Sequence, residues 1–344
     1  MNAMAKKSRG PGQRELALGL IGLGHWGPNY LRVLKMLPGA RVLGAADPDP
    51  GRRRALAPLY PEIKFHSGAE AVLSDPEIRA VIIATPSSTH FQLTRAALLA
   101  GKDVLCEKPL TLSAVEAKKL VELSRARKRV LMAAHIFLYN PGIRQIKEYL
   151  NARHAGRIYY LSSLRTNLGP VRKDVNVVFD LAAHDVSIFN FILGSRPEGV
   201  TAAGASFLKP GREDLAFITL HYPQGVLGHI HISWLTPKKQ REMLVVGSHR
   251  MITWNDLDPL EPVKIYDRGP VEEPFYSDFG AFQRMARASE VHLPAINAEE
   301  PLVVLTRHFL ECVSRRLRPL SDGENGLQVV RTLELIQKAL SRRR

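Results

Sequence analysis

The apolar run Leu16–Ile21, followed at once by Gly22-Leu23-Gly24-His25-Trp26-Gly27, restricts the fold more than any other feature of the chain. Six consecutive apolar residues suit a strand buried on both faces. The GxGxxG spacing directly after it has a separate reason for each glycine. Gly22 permits a tight turn, Gly24 lets a pyrophosphate approach the backbone, and Gly27 lets the next helix pack closely on the strand. That helix, expected from about Trp26 to Met36, offers free N–H groups and the positive end of its dipole to phosphates. Asp47 ends the next strand, Arg41–Ala46, twenty residues past Gly27. A carboxylate there accepts hydrogen bonds from the adenosine ribose and repels a 2′-phosphate. Gly22, Gly24, His25, Trp26, Gly27 and Asp47 therefore predict a dinucleotide site that favours NAD. Two details bear on this. Asp47 also suits a turn or helix cap beside Pro48, and one of Arg52–Arg54 folded over the ribose would admit NADP.

The rest of the first third alternates strand and helix. Strands are expected at Ala80–Ala84, Asp103–Cys106 and Val130–Ala134, with a helix over Thr89–Ala100 and another capped by Ser113. This βαβ alternation predicts a doubly wound parallel sheet. The texture changes after Ile136. Helices are expected over Pro141–Asn151 and Val178–Leu193. Gly199–Phe207, Leu215–Tyr222, Val226–Trp234 and Glu242–Val246 then read as strands without intervening helices, with a hairpin turn at Pro223-Gln224-Gly225. The 344 residues exceed one ordinary core. The expected organisation is a polar lead over residues 1–14, an α/β Rossmann domain over 15–136, and an α+β domain over 137–344. The latter has an open, largely antiparallel sheet and closes with helices at 301–316 and 326–341. The apolar residues of Leu215–Trp234 exceed what a sheet with one wet face requires, so one face is expected against helices and the other against a second subunit.

Composition narrows the class further. Two distant cysteines, Cys106 and Cys312, suggest neither a disulfide framework nor a zinc site, so both read as buried packing residues. No apolar run reaches the length of a membrane span and the lead lacks a secretory signal, which makes the cytoplasm the expected location. The formal charge is +15, with basic clusters at Arg52–Arg54, Arg125–Arg129, Arg315–Arg318 and Arg342–Arg344. These are dispersed and not interleaved with aromatic residues. They suit solvated faces or an anionic small substrate better than nucleic acid.

Three further constellations carry chemistry. Thr85-Pro86-Ser87-Ser88-Thr89-His90 follows a strand, and the carboxyl end of a parallel strand is where ligands bind in this architecture, so Thr85, Pro86 and His90 are read as cofactor contacts. Glu107-Lys108-Pro109 follows the next strand in the same way. An ammonium at Lys108 steadies a developing alkoxide. In Asp180-Leu181-Ala182-Ala183-His184 the acid and the imidazole stand four residues apart, on one face of a regular helix. A carboxylate beside an imidazole orients it and holds its pKa near working pH, which suits a general base. A helix-surface ion pair is the plainer alternative. A zinc pair would need further ligands, and none stands out.

In this order and spacing, GxGxxG, Asp47, Thr85-Pro86…His90, Glu107-Lys108-Pro109 and Asp180…His184 resemble the Gfo/Idh/MocA family of oxidoreductases. The resemblance implies a Rossmann domain followed by a domain with an open sheet, whose outer face often builds dimers or tetramers. It implies Lys108 acting with Asp180 and His184, and a cis peptide before Pro109. It also implies departures. Many members have a glycine where Ala182 stands, and an aspartate where Ser187 stands. The stretch from Arg165 to Asn176 looks like that of members oxidising the 3-hydroxyl of UDP-linked amino sugars. On that likeness Arg165 and Asn176 are expected to contact substrate, with Arg172 and Lys173 available to a diphosphate. An inositol, polyol or free-sugar dehydrogenase is the alternative, and a catalytically silent NAD-binding regulator is a third reading.

Overall fold

A computed structural model describes residues 15–267, 290–297 and 299–341. The expected polar lead, residues 1–14, and the terminal Arg342–Arg344 cluster lie outside the described residues. Six parallel strands form the first sheet in the order β3-β2-β1-β4-β5-β6. They are β1 Leu16–Ile21, β2 Ala40–Ala46, β3 Lys64–His66, β4 Ala80–Ile83, β5 Asp103–Cys106 and β6 Leu131–Ala133. The order reverses between β1 and β4, so a crevice opens at the carboxyl ends of these two strands. Helices α1 Gly27–Met36, α2 Pro50–Leu56, α3 Ala69–Ser74, α4 His90–Leu99 and α5 Ala114–Ala126 cover its two faces. Burial of β4 at every position explains its unbroken apolar sequence.

The second sheet has eight strands in the order β14-β13-β12-β11-β7-β10-β9-β8. They are β7 Ile158–Leu168, β8 Gly199–Ala205, β9 Leu215–His221, β10 Leu227–Ser233, β11 Leu235–Gly247, β12 Met251–Asn255, β13 Val263–Tyr266 and β14 Val291–His292. All pairs are antiparallel except β7 with β10. Helices α6 Pro141–Asn151 and α7 Ala183–Leu193 pack beside it. The register resolves the apolar excess expected over Leu215–Trp234. Ile218, Leu220, Ile230, Ile232 and Trp234 all turn to the covered face, where they are buried. Phe217 and Leu227 remain on the outer face with Tyr160, and the Phe217 ring lies 4.4 Å from that of His231.

The two closing helices, α8 Pro301–Arg315 and α9 Gly323–Ser341, return to the first sheet. Leu302, Leu305, Phe309, Cys312 and Val313 recur at helical spacing and enter the same core as Leu18, Leu20 and Leu34. Helix α9 has two apolar faces. Leu327 and Val330 join the core of Ile83 and Leu110, while Val329, Leu333, Ile336 and Leu340 join the core of the second sheet. It is thus the apolar seam between the sheets. No helix among the described residues is long and apolar enough to cross a membrane.

Candidate active site

The glycine turn has the shape that a dinucleotide requires. Gly22 adopts φ +98°, and a Cβ on it would lie 2.5 Å from the Ala84 carbonyl oxygen. A Cβ on Gly27 would lie 2.4 Å from the Gly22 oxygen, so only glycine lets α1 start this close to β1. Gly24 differs: its nearest neighbour is the Arg52 guanidinium at 3.6 Å, which leaves the backbone open to an approaching ligand. His25 is exposed, and its ring meets Trp26 edge to face at 5.7 Å. Asp47 is buried at the end of β2 and accepts from the Leu23 amide at 2.7 Å and the Asp49 amide at 2.9 Å. Asp49, not Asp47, caps α2. Arg52 stands 3.3 Å from Asp47, on the ribose side of the cradle, whereas Arg53 turns away to the Asp47 and Pro48 carbonyls. The residues present fit NAD: a bare backbone at the phosphates and an acid fixed in place at the ribose.

The two loops beyond β4 and β5 are held by buried polar struts. His90 is fully buried, with Nδ1 2.8 Å from the Pro109 carbonyl and Nε2 3.0 Å from the Thr85 carbonyl. It therefore ties the two loops together instead of facing a cofactor as expected. Thr85 shares a hydrogen bond with Thr89 at 2.8 Å, and Pro86 is exposed at the crevice. Glu107, expected at the cofactor, is a second such strut. Its buried carboxylate accepts from Tyr30 Oη of α1 at 2.8 Å and from the Lys108 amide at 3.2 Å. Burial raises its pKa against the hydrogen bond from Tyr30. The Lys108–Pro109 peptide is cis. Cys106 and Cys312 are both free and buried. Burial pushes the Cys106 thiol up to about 12, which fits packing and not chemistry.

These struts aim Lys108 across the crevice at Asp180. Lys108 Nζ donates to the Asp180 carbonyl at 2.7 Å and to its carboxylate at 3.1 Å. Arg172 reaches the same oxygen at 3.3 Å, and the buried Trp234 indole donates to the other at 3.2 Å. Burial alone would raise the Asp180 pKa, but the two cations and these hydrogen bonds bring it below the usual carboxylate range. Arg172 is itself clamped by Asp174 at 2.6 and 2.9 Å, and Asp174 accepts from the Ser87 amide of the first domain at 3.2 Å.

The expected Asp180–His184 pair does not form. Val178–Ala182 is a π turn, and α7 begins only at Ala183. Lys108, Arg172 and Trp234 take the carboxylate instead. His184 lies beside Phe137, ring centroids 5.0 Å apart, with Nδ1 enclosed and without a hydrogen-bond partner among the described residues. Its pKa sits well below the ordinary histidine value. Burial disfavours the cation, and Lys108, Arg165 and Arg241 add positive neighbours. His135, at the end of β6, was not anticipated. It is fully buried, both ring nitrogens lack partners among the described residues, and burial with Lys108 pushes its pKa down to about 3.

The two residues expected to contact substrate, Arg165 and Asn176, are both engaged by protein partners. Arg165 points inward from β7, is 3% exposed, and forms a forked pair with Asp185 of α7 at 2.8 and 3.0 Å. Its guanidinium lies 4.5 Å over Phe137, behind His184. The side-chain amide of Asn176 donates to Glu213 and Gln337 at 2.7 Å each, and its oxygen accepts from the Phe179 amide at 3.1 Å. Asn176 anchors the turn that carries Asp180. Ser187 turns back to the His184 carbonyl at 2.7 Å, so the carboxylate expected of many family members at this position has no substitute from it. Among the described residues no group of three or more His, Cys, Asp or Glu side chains is placed to hold a metal ion.

Comparison with known proteins places both domains. Residues 16–135 match the oxidoreductase family with an NAD-binding Rossmann fold, and residues 143–253 match the C-terminal domain of the Gfo/Idh/MocA proteins. An inositol 2-dehydrogenase of Saccharopolyspora erythraea is 30% identical over 224 residues, 62% of this chain and 66% of that protein. The match thus spans about two thirds of that relative's length. A UDP-N-acetylglucosamine 3-dehydrogenase of Acidithiobacillus ferrooxidans is 29% identical over 73% of this chain and 77% of that protein. The crystal structure of an oxidoreductase from Magnetospirillum magnetotacticum aligns with TM-score 0.79 at 32% identity, covering 93% of this chain and 99% of that one.

Proposed function

Because the chain belongs to the Gfo/Idh/MocA family of NAD-binding oxidoreductases, we propose that it oxidises or forms a secondary hydroxyl on a sugar-type substrate, using Lys108 and His184. The observation that carries this reading is the Lys108 ammonium, held at Asp180 beside His184 at the carboxyl edge of the sheet that bears the glycine cradle. NAD, when bound, supplies the acceptor for the carbinol hydrogen. Two of the three ammonium donors of Lys108 are committed to Asp180, leaving the third for the reacting oxygen. A fixed cation there stabilises the alkoxide as it develops. The hydroxyl proton passes to His184, which its surroundings keep neutral but make a weak base, so the transfer depends on Lys108 holding the oxygen's developing charge. The same cations then destabilise the imidazolium and favour its return to the neutral base. Asp180 is a positioning residue that holds Lys108 rather than the histidine.

The finer reading is a nucleotide sugar oxidised at its 3-hydroxyl. It is supported by the Arg165–Asn176 stretch and by the name of the Acidithiobacillus relative. A specific observation favours the alternative, an uncharged inositol or other polyol. Arg165 and Arg172, two of the cations expected to meet a diphosphate, are already neutralised by Asp185, Asp174 and Asp180. Steady-state NADH formation on UDP-amino sugars, inositols and free sugars separates the two. Turnover of only UDP-sugars establishes the first reading, and turnover of only uncharged polyols the second. NAD binding with no turnover of any of them refutes the enzymatic reading in favour of a regulator. We further propose a homodimer or tetramer through the outer sheet face that exposes Tyr160, Phe217 and Leu227. A monomer by light scattering at micromolar concentration removes that assembly.

A further inference from the structure

Two of the basic clusters noted in the sequence, Arg125–Arg129 and Arg315–Arg318, lie far apart in the chain and have no part in the site above. The fold brings them together. Helix α5 ends with Lys128 in left-handed backbone, φ 51°, and α8 ends with Arg316 in the same conformation, φ 56°. Arg316 donates to the Lys128 carbonyl and reaches Asp103 at 2.8 Å, which brings the two turns against one another. Between them and the start of α9 is a cleft of about 510 Å³. That volume lies within the range of small-molecule sites.

The cleft stands at the opposite end of the sheet from the active site. Val130 and Leu131, at the start of β6, form part of its wall, whereas His135 follows the end of that strand. Five cations line it: Arg125, Lys128, Arg129, Arg316 and Arg318. Three are neutralised, Arg125 by Glu324 at 3.0 Å, Arg316 by Asp103 and Arg318 by Asp322 at 2.5 Å. Lys128 and Arg129 have no carboxylate partner among the described residues. Arg129 Nε is enclosed and makes no hydrogen bond there. The first turn of α9 lines the same cleft, its amide at Asn325 already capped by Asp322, so the open positive charge of the cleft is that of Lys128 and Arg129. Leu131, Leu317 and Pro319 provide an apolar floor.

We propose that this cleft binds a small organic phosphate, with its phosphate on Lys128 and Arg129 and its organic part on the apolar floor. Two uncompensated donor-rich cations match the charge of a phosphate dianion, and a guanidinium grips its oxygens directionally. The concave shape favours a small ligand over a nucleic-acid duplex.

The test is isothermal titration of adenosine 5′-monophosphate, phosphoenolpyruvate and inorganic phosphate into protein saturated with NAD, so that the dinucleotide cradle is already filled. At least one organic phosphate should bind once per chain, and more tightly than inorganic phosphate. Lys128→Asn/Arg129→Gln should weaken it about tenfold or more, the loss expected from removing charge-assisted contacts. Asparagine tolerates the left-handed backbone at position 128. The thermal midpoint and NAD affinity of the double variant should be unchanged. Four results overturn the proposal: no organic phosphate binds at millimolar concentration, none binds more tightly than inorganic phosphate, the double variant binds as well as the parent, or a short DNA duplex binds the parent more tightly and loses that binding in the double variant.

Discussion

Arg165 distinguishes a structural from a substrate-binding role by the sign and size of one substitution. Its guanidinium and the Asp185 carboxylate are each under 5% exposed and joined by two hydrogen bonds, at 2.8 and 3.0 Å. Arg165→Met fills most of the volume but leaves Asp185 buried and unpaired. Breaking such a pair from one side costs about 3–5 kcal/mol. If the second sheet unfolds as one unit, that lowers its thermal midpoint by on the order of 6–20 °C, at about 2–4 °C per kcal/mol for a domain of that size class. Arg165→Met/Asp185→Leu removes both charges and should recover most of the loss, because a buried pair contributes little net stability over apolar residues of similar volume. Urea unfolding followed by tryptophan fluorescence measures all three proteins. Their KM for the best substrate is the second readout, taken well below each unfolding transition. A substrate contact would raise KM in the single variant while leaving stability within about 0.5 kcal/mol, as for ordinary surface substitutions. That result, or a double variant as unstable as the single one, refutes the buried-pair assignment.

Other consequences concern the reaction and the cofactor. Lys108→Ala and His184→Ala should each lower kcat by about 10²–10⁴, the range typical of general acid–base groups, with NAD affinity little changed. Their effects should be non-additive because both act on one oxygen; near-normal kcat in His184→Ala, with chemistry rate-limiting, removes it as the base. His184 should titrate by NMR below the ordinary histidine range, and Lys108→Met should move it upward because a neighbouring cation is lost; a His184 pKa at or above the ordinary value contradicts the described surroundings. Histidines depressed in the folded state protonate more readily on unfolding. The stability supplied by His135 should therefore be present above the ordinary histidine pKa of about 6.5 and decline as pH falls toward about 3; a urea midpoint that does not change over that window in the parent, or that changes equally in His135→Leu, rules this out. Gly24→Ala should fold normally, since its Cβ meets only the Arg52 side chain, yet weaken NAD binding, whereas Gly27→Ala should destabilise the domain itself. Equal thermal midpoints for the two variants would refute that distinction.

Much of the fold was legible in local sequence because the signals were local. Strands β1 and β5 and helix α6 were expected with the bounds they have, since short apolar stretches and helical spacing are local signals that need no partner to be recognised. The parallel sheet, the glycine cradle and the place of Asp47 followed from one motif and its spacing. Strand β7 was not recognised, although it lies at the centre of the second sheet. It turns Ser163 and Arg165 to the interior, and a charged residue at a core position conceals the period of two unless its partner Asp185 is known. The closing helices were recognised as helices, but their destination was not. Which core an apolar face enters is a tertiary fact, and α9 enters two. The site shows the same division. Sequence offered Lys108, Asp180 and His184 as the candidate reactive set, from their residue types and from what the family resemblance implies. Only the structure decided who holds whom. Lys108, Arg172 and Trp234 take the Asp180 carboxylate that the spacing offered to His184, and burial under several cations sets the histidine's charge. A carboxylate pairs with whichever donors the fold brings to it, and here those donors come from the β5 loop, the Arg172 loop and the end of β10.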